Sequence, residues 1–346
     1  MKITNLTPNI QTPDFQPELT TAEELALANS RFAQSDLPFY RKLGRTDLTV
    51  SCLGLGGGAH ISSEDTLYAF DEGINYFFYS SDLHQYIYSS MRPALRQLCG
   101  RGSSMREKVV LATVSYMVKT PDLALTYLYD QFIDLGIDYV DVFFWGWIDE
   151  HNHPAFEKCI SASDDIRGPN TVCQRQIERM FGVSEKLKKM GAVRYIGASF
   201  HDHDLAKQWL NSPLLDVVMV RHNVAHRTAQ RKVFPNLDAN DPHRPGIVTF
   251  KSAGMLGALW EPPAGLPTGC WQPSVPDLYR YSLSQNSVDV ALAGWQTREH
   301  VDAAIQAVQQ GKLTPEEIDY LNLYGDLHRN RIKPHEIPPE RLLVGR

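Results

Sequence analysis

The sequence is poor in cysteine. It has five cysteines among 346 residues, an odd number that is widely scattered and includes no Cys-X-X-Cys pair. Such a distribution favours neither a disulfide framework nor a structural zinc site. We therefore expect reduced thiols, most of them packed in the core of a cytoplasmic protein.

Long apolar runs and an excess of positive charge are also missing. No stretch approaches the roughly 18 apolar residues that a membrane-spanning helix needs. The formal net charge of −6 disfavours a nucleic-acid or anionic membrane partner. The first residues do not show a basic segment followed by an apolar core, so we expect no secretory signal. We expect a small-molecule substrate, with no nucleic acid and no membrane.

What the chain does contain is a long central block between two polar ends. Apolar residues make up 43% of the sequence, enough for a sizeable core. Residues 1–38 form a polar extension, residues 39–330 the central block, and residues 331–346 a proline-rich tail. The two ends are surfaces through which a protein partner could bind.

The central block alternates strand-like and helix-like segments. A hairpin is expected over residues 40–50, and an additional helix over residues 315–327. Eight apolar strand segments are each followed by a helical pattern, which is typical of a parallel sheet. They cover residues 52–56, 75–79, 109–113, 139–145, 194–199, 216–220, 246–250 and 288–293. The pattern predicts an α/β fold, a closed (β/α)₈ TIM barrel.

An open, doubly wound sheet is the alternative fold. It predicts a Gly-X-Gly-X-X-Gly turn after an early strand. The best match is the glycine-rich run at residues 54–58, whose spacing is wrong. The barrel is therefore the favoured fold.

Several segments occur in an order that resembles the aldo/keto reductase superfamily. They are FYRKLGRTDLTVSCLGLGGG, GINYFFYSSD, REKVVLAT, LGIDYVDVFFW, GAVRYIGASFHD and VDVALAGWQTREHVDAAI. The resemblance runs from about residue 40 to residue 325 and implies a barrel plugged by an amino-terminal hairpin. It also implies NADP(H)-linked carbonyl reduction by a tetrad of Asp, Tyr, Lys and His.

The same resemblance places other residues at all four tetrad positions, namely Tyr79, His84, Val114 and Gly146. The tetrad is therefore predicted to be degenerate. His84 is the expected replacement acid/base, because imidazole titrates near neutral pH without a tuning lysine, and Tyr79 would hydrogen-bond the substrate. Asp82 and Tyr86 form an alternative acid/base pair. Histidines near strand ends lack the short spacing of a zinc site, so we expect no metal.

The remaining site candidates follow the predicted strand ends, where (β/α)₈ barrels carry their chemistry. The expected substrate-binding residues are Tyr116, Trp145, Trp147 and His201. The resemblance implies that NADP(H) is held by Ser199, Asn223, Phe250, Lys251, Ser252, Gly294 and Arg298. The nicotinamide contacts are expected to be weakened, because Phe200 and Met219 stand where the family has Asn and Gln.

Three functions are compatible with these residues. The first is a divergent NADP(H)-linked oxidoreductase that acts on a small, partly apolar substrate through His84. The second is a redox-independent lyase, isomerase or cyclase on the same barrel. The third is a non-catalytic partner or sensor protein.

Overall fold

A computed structural model describes residues 29–30, 35–56, 60–82, 85–118, 120–148, 172–254 and 258–345. Ten strands and nine helices lie within these ranges. The strands are β1 Tyr40–Lys42, β2 Thr49–Ser51, β3 Leu53–Gly56, β4 Tyr76–Ser80, β5 Val110–Ser115, β6 Val140–Ile148, β7 Val193–Phe200, β8 Val217–Arg221, β9 Gly246–Phe250 and β10 Val290–Ala293. The helices are α1 Ser63–Asp71, α2 Arg92–Cys99, α3 Pro121–Leu135, α4 Val172–Lys189, α5 His203–Trp209, α6 Thr228–Lys232, α7 Val275–Leu283, α8 Arg298–Gln309 and α9 Pro315–His328.

Strands β3 to β10 form a closed parallel barrel. Each strand pairs with the next one along the chain, and β10 pairs with β3 to close the ring. The predicted (β/α)₈ barrel is confirmed, and the open doubly wound sheet is wrong. A closed ring directs the carboxyl ends of all eight strands to one face, the mouth.

The hairpin β1–β2 packs under the amino-terminal end of the barrel. Its turn contains Gly44 at φ +54°, and a Cβ there would lie 2.1 Å from the backbone nitrogen of Gly246. Only glycine fits this close approach between two backbones. The hairpin therefore seals the end of the barrel opposite the mouth, as predicted.

Two buried hydrogen bonds show which strand residues face the helices. The Trp145 indole donates to Ser184 of α4 at 2.9 Å, and Thr113 donates to Gln131 of α3 at 2.9 Å. Neighbouring strand residues point to opposite faces. Val114, which follows Thr113, therefore faces the barrel interior.

A buried carboxylate ties three strands together at the amino-terminal end. Asp141 accepts hydrogen bonds from Arg106 and Arg194, each at 2.9 Å, and from the backbone of Leu111 at 2.8 Å. Its side chain is 1% exposed. Arg106 depends on this carboxylate, because no other acid in the described residues pairs with it, whereas Arg194 also pairs with Asp47 at 3.0 Å.

Helix α9 and the carboxyl-terminal tail pack back onto the barrel. A Cβ on Gly325 of α9 would lie 1.9 Å from the Val224 carbonyl oxygen, so the helix approaches the loop after β8 as closely as backbone allows. In the tail, the Leu343 carbonyl accepts from the Trp271 backbone at 2.7 Å, and Arg341 pairs with Asp319 of α9. The tail is thus bound to the body of the protein.

The thiols that the structure describes are buried. Cys52, Cys99 and Cys270 are free cysteines in the core, and burial raises the pKa of Cys52 to about 11. Among the described helices, none has both the length and the apolar character that a membrane crossing requires.

Candidate active site

The mouth of the barrel contains two bulky residues in a strained backbone conformation. Trp147 lies near the end of β6 at φ +56°, and Lys251 follows β9 at φ +60°. Left-handed backbone is costly for large side chains and concentrates at functional sites. The pairing of β6 with β7 shifts register between Trp145 and Ile148, which allows the backbone at Trp147 to turn.

Hydrogen bonds from neighbouring strands hold both strained residues. The Trp147 backbone donates to the Ser199 hydroxyl at 2.8 Å. The Lys251 carbonyl accepts from the Asn223 side-chain amide at 2.8 Å. These bonds hold the backbone of both residues in its left-handed conformation.

The strain brings Lys251 into contact with His201. The Lys251 Nζ lies 3.1 Å from the His201 Nε2, although fifty positions separate the two residues in the sequence. The imidazole lies between two aromatic rings, 5.6 Å from Trp147 and 5.1 Å from Phe250, both edge to face. An amine and an imidazole in contact, under an aromatic rim, can exchange protons with a bound substrate.

Burial and a neighbouring positive charge make Lys251 a stronger acid than an ordinary lysine. Burial is the larger cause and the Arg221 guanidinium the second, and both lower the pKa of Lys251. The pKa of Arg221 is itself lowered by burial and by Arg329.

Asp82 occupies another part of the mouth. Its carboxylate accepts from the Ser115 hydroxyl at 2.6 Å and from the Tyr116 backbone at 3.2 Å. Burial and then Asp82 raise the pKa of Tyr116 to about 12. Tyr116 is therefore a protonated phenol and a poor acid at neutral pH.

The interior space between β5 and β6 is filled. A Cβ on Gly146 would lie 2.6 Å from Val114 and 2.7 Å from the Tyr116 ring. Val114 and Gly146 are the positions at which the resemblance expects Lys and His. The structure has no room for a histidine beside Val114 and Tyr116 in their present positions.

Two expected site residues face the helix layer, which corrects their assignment. Tyr79 is fully buried and packs 5.7 Å from the Tyr88 ring. Trp145 is 1% exposed and donates to Ser184 of α4. Tyr79 lies opposite Thr113 in the register, on the same outward face. Neither residue lines the mouth, because the period of two turns them outward.

Two expected cofactor-binding residues are already engaged inside the protein. The Asn223 amide donates to Lys251 and accepts from the backbones of Ala225 and His226. Ser252 is 1% exposed, and its hydroxyl lies 3.4 Å from that of Ser282. Their role in the structure is to hold the loops after β8 and β9.

The remaining acid/base candidates lie on the loop after β4. His84 lies outside the described residues. Tyr86 lies in a 3₁₀ helix, Gln85–Met91, and is 71% exposed. Within the described residues no group of three metal-ligating side chains could hold a metal ion.

The turn after β10 is held by an ion pair. Arg298, in the first turn of α8, contacts Glu64 at 2.7 Å and Asp65 at 3.0 Å. Gly294 is exposed beside it. An anion that binds here would compete with both carboxylates for the guanidinium.

Sequence reasoning missed Arg221 and Arg329. Arg221 ends an apolar strand, and a charge in that position is a signal that could have been noticed. Arg329 follows α9. Only the packing of α9 on the loop after β8 brings it near Arg221.

Comparison with known proteins agrees with this architecture. A model of the aldo/keto reductase family matches residues 63–252, which is more than half of the chain. An aldo-keto reductase from Bacillus halodurans in its holo form superimposes with a TM-score of 0.58 at 20% identity, covering 87% of this chain and 99% of that one. A thermostable aldo-keto reductase bound to the inhibitor epalrestat gives 0.58 at 19% identity, covering 82% and 99%.

No curated protein matches the chain significantly. The two structural likenesses show the fold alone, since both identities lie near 20%. The family match covers strands β4 to β9, which supply Asp82, His201 and Lys251 at the mouth. The chain therefore belongs to the aldo/keto reductase family.

Proposed function

We propose that the protein is a nicotinamide-linked oxidoreductase that uses Lys251 and His201 to move the proton. Its substrate is a small, partly apolar carbonyl compound or the corresponding alcohol. The observation that carries this proposal is the 3.1 Å contact between Lys251 Nζ and His201 Nε2 at the mouth.

Lys251 can supply the proton that the tetrad tyrosine supplies in other members of the family. In the reducing direction, the Lys251 ammonium donates a proton to the carbonyl oxygen as the alcohol forms. His201, in contact with Nζ, orients the amine and returns a proton to it. The rings of Trp147 and Phe250 exclude water from the pair and contact the apolar part of the substrate.

A nicotinamide dinucleotide fits these residues at its phosphate end. Gly294 is exposed in the turn after β10, and Arg298 in the first turn of α8 carries a guanidinium that a phosphate would share with Glu64 and Asp65. Ser199 and Phe250 would hold the nicotinamide at the mouth. Members of the family generally use such a cofactor, which supplies or accepts a hydride when bound.

Titration with NADPH tests the cofactor. We expect saturable quenching of tryptophan fluorescence. Replacing Glu64 with glutamine should tighten binding by about threefold to tenfold, because Arg298 is released toward the phosphate. Asp71→Asn is the matched control, since Asp71 lies exposed at the other end of α1. Absence of binding at millimolar NADPH would contradict the proposal.

The rate of reduction should depend on pH through Lys251. The protonated amine is the donor, so kcat should fall as pH rises through a pKa below that of an ordinary lysine. Arg221→Gln removes a neighbouring positive charge and should move this limb to higher pH. The measurement is a profile of log kcat against pH for both proteins. A limb that stays in place in the variant would argue against Lys251 as the donor.

A redox-independent reaction is the second candidate function. The observation that favours it is the Asn223 side chain, whose oxygen accepts from the backbones of Ala225 and His226 and whose nitrogen donates to the Lys251 carbonyl. The same Lys251–His201 pair could then move a proton on a substrate without a hydride. Activity that persists after removal of all nicotinamide, and that is lost in Lys251→Met, would identify this function.

A further inference from the structure

Lys251 belongs to a cluster of positively charged side chains at the mouth. The cluster consists of Arg221 at the end of β8, Lys251 after β9 and Arg329 after α9. None of the three forms an ion pair with a carboxylate in the described residues. His226, in the loop after β8, borders the cluster.

Arg221 is held in place by its own strand. It lies opposite Phe250 in the register of β8 and β9. Its side chain is on the same face as Met219, which pairs with Ser199 of β7. Trp145 faces the helices, and so does its register partner Ala198, so the next residue, Ser199, faces inward. Met219 and Arg221 therefore face the barrel interior as well. The Arg221 carbonyl accepts from the His203 ring at 2.8 Å, which fixes the backbone.

One donor of the Arg221 guanidinium lacks a partner. Its Nε is buried and makes no hydrogen bond to any described residue. Arginine donors that are taken out of water are normally satisfied by an acceptor. The nearby Arg227 shows the contrast, because it forms two hydrogen bonds with Asp326 at 2.7 and 2.8 Å. That interaction already occupies the carboxylate of Asp326.

Helix α9 brings in the third charge. The contact between Gly325 and the Val224 carbonyl fixes the carboxyl end of the helix against the loop after β8. Arg329 follows directly, with its backbone bonded to the Gly325 carbonyl. Burial, then Arg221, then Arg329 lower the pKa of His226 to about 4, so this imidazole is neutral beside the cluster.

We propose that Arg221 and Arg329, next to Lys251, form an oxyanion subsite that binds a carboxylate or phosphate group of the substrate. The positive charges of Arg221, Lys251 and Arg329 repel one another, and an anion between the two arginines would accept a hydrogen bond from the buried Nε of Arg221. The neighbouring rings of Trp147 and Phe250 suit an apolar or aromatic group attached to that anion. That the ligand is a substrate rests on the proposed function, whereas binding of the anion does not.

Calorimetric titration of the full chain with benzoate, phenyl phosphate and neutral benzyl alcohol tests the subsite. We expect saturable binding of one or both anions and at least tenfold weaker binding of the alcohol. Arg221→Gln and Arg329→Gln should each weaken the anion by about tenfold. Arg231→Gln, an exposed position on α6, should leave its affinity unchanged.

Thermal unfolding provides a measurement that does not need turnover. The anion should raise the melting temperature of the wild type and of Arg231→Gln, but not of Arg221→Met. Equal binding by wild type and Arg221→Gln, or equal binding of benzoate and benzyl alcohol, would overturn the subsite. Competitive displacement of benzoate by NADPH would overturn its assignment to the substrate. Anion binding without any turnover would leave the subsite standing and count against the proposed function alone.

Discussion

Replacing Lys251 with methionine is expected to reduce kcat for NADPH-dependent reduction by about 10²–10⁴-fold. Methionine keeps the length and apolar stem of lysine but cannot donate a proton. The contacts that would hold the cofactor phosphates at Arg298 are unchanged, so NADPH should still bind saturably. Steady-state kinetics on a panel of small aldehydes, together with fluorescence titration of NADPH, provide both measurements.

Lys207→Met is the matched control for this variant. Lys207 lies exposed in the last turn of α5, on the helix that follows His201. Its replacement should leave kcat unchanged. Lys251→Arg should be nearly as inactive as Lys251→Met, because a guanidinium keeps the charge but does not release a proton. A Lys251→Met protein with the full rate would eliminate Lys251 as the proton donor.

Replacing Asp141 with alanine is expected to lower the free energy of unfolding by about 3–5 kcal/mol. The change leaves Arg106 and Arg194 without the carboxylate that both contact at 2.9 Å. It also removes the acceptor for the Leu111 backbone. Urea denaturation followed by circular dichroism measures the loss directly.

Asp138→Ala supplies the comparison within the same part of the chain. Asp138 pairs with Arg101 at 2.7 Å, but their side chains are 67% and 65% exposed. Water and salt screen such a pair, so we expect a loss of at most about 1 kcal/mol. Similar losses for the two variants would show that burial does not govern the contribution of Asp141.

The strand register shows where sequence reasoning lost accuracy. The apolar segments located all eight barrel strands, because a strand buried on both faces is apolar throughout. The same uniformity conceals which residues face inward. Tyr79 and Trp145 were therefore expected at the mouth, whereas both pack against the helix layer. A polar partner on a distant helix, such as Ser184 for Trp145, reveals the orientation only in three dimensions.

The contact between Lys251 and His201 could not be predicted from spacing. His201 and Lys251 were each recognised as residues near a strand end. Their contact depends on the left-handed backbone at Lys251 and on the bond from Asn223 that holds it. Neither feature has a signature in the sequence, since glycine is the residue expected at such a φ.

The sequence by itself determined the barrel, its hairpin plug and the residue types around the mouth. Periodicity, turn residues and apolar runs are local properties, and they suffice to specify the elements and their order. Only the tertiary structure decided which side chains come together, as Lys251 does with His201, and which charges act on each other, as Arg329 does on Arg221. These encounters join residues about fifty and one hundred positions apart. They arise from ring closure and helix packing, which bring distant parts of the chain to one end of the barrel.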